Sequence, residues 1–85
     1  MSGVLDKLEK AVENFERSSY KIDPDEFQAR AQEVMVVCLE LVETRLVGKK
    51  RPDLIRELRE LQERCQGKSA LLTLAINDLA LLFEA

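Results

Sequence analysis

Histidine and tryptophan are absent from this 85-residue chain, and glycine, proline and cysteine are scarce at three, two and two residues. Each shortage excludes something. Without histidine the chain lacks the commonest general base and the commonest transition-metal ligand, so Ser-His-Asp and Cys-His catalysis are ruled out within it. Two cysteines, Cys38 and Cys65, are too few for a structural zinc site, and no metal or other cofactor is expected. So few glycines and prolines leave little material for the many turns of a compact all-β fold. No apolar run approaches the length of a membrane span, so none is expected.

What is present is aliphatic and charged. Hydrophobic residues make up 46% and charged residues 34%, with 13 cations against 16 anions and a formal net charge of −3. That balance suits a small soluble globular domain over residues 1–85, not a disordered chain. A chain this short has little room to enclose a substrate cavity, so an enzyme is not expected. Met1-Ser2-Gly3 leads straight into an amphipathic segment without a signal-like stretch. A reducing, cytoplasmic location is therefore expected, with both cysteines on apolar helix faces as free thiols.

The apolar residues recur at spacings of three and four, which is helical. Four helices are expected, around 3–18, 24–47, 52–66 and 69–85, in a small antiparallel all-α four-helix bundle. In the first, Val4, Leu8, Ala11 and Phe15 share a face with Leu5 and Val12 beside them. Asp23 is a good N-cap, Pro24 suits the first helical position, and Asp25 and Glu26 favour the positive end of the dipole. Ile22 is placed to pack on Phe27 as a hydrophobic staple. The second helix carries Phe27, Ala31, Val34, Cys38, Leu41 and Val42 on one face, and Gly48 is expected to end it. Pro52 opens the third helix, whose apolar stripe is only Leu54, Leu58, Leu61 and Cys65; Arg56–Glu60, Arg59–Glu63 and Glu60–Arg64 are expected to pair along its outside. Gly67 stops it and Ser69 caps the fourth.

The fourth helix is the unusual one. Thr73, Asn77 and Glu84 share one narrow polar edge, and Asp78 stands alone elsewhere. Leu72, Ile76, Leu79 and Phe83 form one apolar face. Leu74 and Leu81 point almost the opposite way, with Leu71 and Leu82 between the two sets. Such a helix is either the centre of a monomeric bundle or has two jobs, one face in the core and the other against a second chain. The short chain and the thin stripes of its neighbours favour the second reading.

The leading expectation is thus a non-catalytic protein-interaction module of the adaptor, regulator or small-chaperone kind. Its candidate partner-binding residues are Leu74, Leu81, Leu82 and Asp78, with Val36 and Val37 as a lesser patch beside Ala29 and Val47. The partner would be another protein chain, as a homodimer or a heteromeric helical partner. The alternative is a dimeric nucleic-acid-associated regulator using the basic linker Lys49, Lys50 and Arg51, with Arg45 and Arg56 nearby. Three cations at a helix start suit an anion. The chain is acidic, however, and has no second basic run, so nucleic acid is the lesser expectation.

Overall fold

The computed structural model describes residues 5–44 and 51–84. Among them there are four helices and no strand: α1 (Asp6–Arg17), α2 (Pro24–Val42), α3 (Pro52–Cys65) and α4 (Ala70–Glu84). They form a small all-α bundle with extents of 40 × 21 × 19 Å.

The local signals act where the sequence places them. The Asp23 carboxylate accepts from the Glu26 backbone N–H at 3.1 Å, with Pro24 next in the chain, and so starts α2. Pro52 opens α3. Gly67 follows the end of α3 at φ +87°, a left-handed conformation that costs glycine little. The Ser69 hydroxyl then accepts from the Leu72 N–H at 3.2 Å and caps α4.

Two local expectations are corrected. Helix α2 was expected to reach Val47 but ends at Val42. Beyond it both the N–H and the hydroxyl of Thr44 donate to the Leu41 carbonyl, a tightened turn that takes over an acceptor the helix would have used. Gly48, expected to end α2, lies outside the described residues, as do Val4, Arg45 and Val47. The second correction concerns Ile22, which is 86% exposed and staples nothing. Phe27 instead meets Phe15 at a ring-centroid distance of 4.8 Å and Tyr20 edge-on at 5.8 Å. Aromatic rings at these separations attract each other beyond simple burial, and α1 ends beside the start of α2.

Side-chain bonds between helices fix the directions. Lys7, early in α1, pairs with Glu40, late in α2, at 2.9 Å, so these two are antiparallel. Arg64, at the end of α3, pairs with Glu16, at the end of α1, so these two run the same way. Lys68, just before α4, donates to the Glu16 carbonyl at 2.8 Å, so α4 starts at that same end and runs parallel to α2. The directions alternate along the chain, but the lateral order is α1–α2–α4–α3: α1 packs on α2, α2 on α4, α4 on α3 and α3 on α1.

The core follows the helical stripes. Leu8, Val12 and Phe15 of α1, Val34 of α2, Leu54, Leu58 and Cys65 of α3, and Leu72, Ile76, Leu79 and Phe83 of α4 are all buried, each by more than 98%. Burying one such side chain is worth about 1.5–3 kcal/mol. The pairs differ on the outside. Helices α1 and α3 are strongly amphipathic, while α2 and α4 are weakly so because apolar residues extend round them.

Candidate functional site

Helix α4 sits at a corner of the bundle with one face turned outward. Arg59 of α3 donates to the Asn77 side-chain oxygen and lies 3.9 Å from the Glu84 carboxylate. The polar edge of α4 is thereby turned toward α3. With residues advancing by about 100° each, this edge locates the rest of the helix surface. Leu72, Ile76, Leu79, Ala80 and Phe83 go inward. Leu71, Leu74, Leu81 and Leu82 are left outside, 64%, 57%, 49% and 38% exposed. These four, at spacings of three, seven and one, make a continuous stripe with exposed Asp78 at its centre. Leu74 also borders a groove of about 780 Å³ between α3 and α4, with Gln62, Thr73 and Asn77.

Helix α2 extends the same outer layer. Its Glu40 turns to α1 through Lys7, so the opposite flank faces α4. Leu39 and Val42 are on that flank and both are exposed. On α4 the flank away from Arg59 carries Leu71 and Leu82. The parallel α2–α4 pair therefore presents leucines and valine from both helices along one outer face. The helical spacing puts Val42 on the apolar face of α2 with Leu39 flanking it, and sets Leu71 between the two faces of α4. The missing information was where the neighbouring helices stand, which a single helical wheel does not contain.

The second, smaller patch divides. Val36 is exposed, but Val37 is only 6% exposed and belongs to the core. The correction has a simple cause: α2 is covered on two sides, by α1 and α4, so its buried arc is broad. Val36 and Val37 still border one groove, of about 540 Å³, between α1 and α2. Ala11 and Ala29 line it too, and Lys7 and Glu40 pair beside it.

The electrostatics of the outer face are one-sided. Asp78 on α4 and Asp25 and Glu43 at the ends of α2 are exposed carboxylates. Among the described cations, Arg30 pairs with Glu33 at 2.8 Å, Arg59 bonds the Asn77 side chain, and Lys68 bonds the Glu16 carbonyl. Among the described residues no ion pair involves Asp78.

Of the basic linker, Lys49 and Lys50 lie outside the described residues. Arg51 makes a two-pronged contact with Asp53, at 3.1 and 2.8 Å, which raises the arginine pKa further and lowers that of the carboxyl. Its guanidinium is thus shared with an anion before any phosphate arrives. The cysteines are both buried and free. Burial pushes the Cys38 thiol up to about 11, with Cys65 adding to the effect, and raises that of Cys65 as well. A raised thiol pKa opposes nucleophile chemistry. Among the described residues no cluster of three or more cysteine or carboxylate side chains is arranged to hold a metal ion. No described helix is long and apolar enough to cross a membrane.

Comparison with protein-family models, with curated proteins and with solved structures gave no significant match.

Proposed function

We propose that the chain is a non-catalytic protein-interaction module that docks another protein on the outer face of α4 and the adjoining flank of α2. The observation that carries this reading is the stripe Leu71, Leu74, Leu81 and Leu82, four leucines held outside a bundle whose core is already filled. Single exposed leucines are ordinary, but contiguous apolar surface is a mark of association. An apolar helix face with a polar margin is the kind of surface on which a partner helix lies. Stable interfaces of this type remove about 1,200–2,000 Å² from water, which requires a contribution from α2 as well as α4.

The test compares native assemblies. The wild-type chain and a Leu74→Glu/Leu81→Glu double variant are expressed in the native host, and their complexes are sized by gel filtration. The wild type is expected in a larger species and the variant at its own mass, with equal helical circular dichroism. Equal elution of both chains contradicts the reading.

A further inference from the structure

The charge on the α4 stripe names its occupant. Asp78 stands at the middle of the stripe, with Leu74 one turn before it and Leu81 and Leu82 one turn after. The leucines around it would take it out of water in any complex. A carboxylate covered in this way needs a cation or a hydrogen-bond donor opposite it. Among the described residues no cation pairs with Asp78, and Arg59, Arg30 and Lys68 are bonded to other groups. A second copy of this chain is a poor donor: a two-fold pairing about the stripe centre brings Asp78 against Asp78, and the other exposed carboxylates of the layer, Asp25 and Glu43, add charge of the same sign.

Resting on the docking reading above, we infer that the occupant is an amphipathic helix of another protein, with an apolar stripe for Leu71, Leu74, Leu81 and Leu82 and a lysine or arginine placed to meet Asp78. Asp78 then acts twice. It selects a cationic partner helix, and it prevents the leucine stripe from closing on itself.

Two synthetic 18-residue amphipathic peptides provide the test. They share one leucine stripe and differ only in having lysine or glutamate at the flanking positions. Each is titrated into the full ¹⁵N-labelled chain and followed by NMR. The lysine peptide is expected to bind at least about tenfold more tightly, to lose affinity with salt, and to shift resonances of 71–82 and 39–42 rather than those of α1. Asp78→Lys is expected to weaken the lysine peptide about fivefold and to favour the glutamate peptide. Asp78→Leu is expected to give concentration-dependent dimers by light scattering where the wild type gives none. Because Asp78 is exposed, all these variants should keep the wild-type fold. Binding of both peptides with equal affinity overturns the charge assignment while leaving the docking face intact. A wild-type chain that dimerises through the stripe makes a second copy the occupant and overturns the inference. Absence of binding by the lysine peptide, or shifts confined to other faces, also overturns it, and the native-assembly comparison then decides the docking reading separately.

Discussion

Arg59 of α3 donates to the Asn77 side chain of α4, and the next residue, Asp78, about 100° further round that helix, is exposed. This contact between two half-buried side chains marks the edge of α4 that faces α3, while Leu72, Ile76, Leu79 and Phe83 fill the core and the other apolar face is left outward.

The outward leucines and the inward ones should respond oppositely to substitution. Leu81→Glu places a charge on a half-exposed site and is expected to change stability by no more than about 1 kcal/mol. Leu79→Ala removes a buried side chain and should cost about 2–5 kcal/mol. Urea unfolding of both variants checks this. A large loss from Leu81→Glu would mean that the stripe is covered by the chain itself.

The Arg59–Asn77 contact is open to a double-mutant cycle. Arg59→Met and Asn77→Ala, singly and together, are expected to show a coupling of about 1 kcal/mol, because a charged donor meets a partly buried acceptor. Additive effects within error would mean the bond contributes nothing in solution.

Stability should fall in acid partly through Glu16. The Arg64 guanidinium bonded to it holds its carboxyl below the ordinary value of 4.5. A depressed folded-state pKa contributes stability above the unfolded value, and that contribution is lost as pH falls through the folded one. The pair is about one-third exposed on each side, so the effect is at most about 1 kcal/mol. Glu16→Gln should lower stability at pH 7 by that order and flatten the slope below about pH 4.5. An unchanged acid slope in the variant would contradict the assignment.

At the alkaline end the thiols act with the opposite sign. The Cys38 pKa is raised from 9.0 to about 11 by burial, so the folded state holds its proton where the unfolded state has released it. Stability present below pH 9 is therefore lost as pH rises toward 11. Cys38→Ala should reduce this alkaline loss while costing some packing. In the native wild type, labelling of Cys38 and Cys65 by a thiol reagent should run at the rate of local opening. Rapid labelling at pH 8 would contradict the buried placement of both.

Much of the fold was legible because each helix writes its inward face at a spacing of three and four. The core sets Leu54, Leu58, Leu61, Cys65 and Leu72, Ile76, Leu79, Phe83 follow from that period alone. The caps at Asp23 and Ser69 were legible because they are local chemistry. What depends on neighbouring helices was not. Arg59 and Arg64 lie at the edges of a narrow stripe, and they reach across to Asn77 and Glu16. The i,i+4 rule describes a helix standing alone and favours partners along the same helix. Val37 lies beside α1, and nothing in its own heptad says that α1 stands there. Of the candidate site, Leu74, Leu81, Leu82 and Asp78 were visible as an apolar surplus on α4. The contribution of Leu39, Val42 and Leu71 required the parallel placement of α2 against α4.

In the proposed docking mode the outer α4 face, and not the charged surface of α1 and α3, meets another protein. Site-specific photo-crosslinking in the native host tests it most directly, with the photoreactive residue at position 74, at position 81, or at exposed Glu60 on α3. Discrete protein adducts are expected from 74 and 81 and none from 60. Adducts formed equally from all three positions, or from 60 alone, would contradict it.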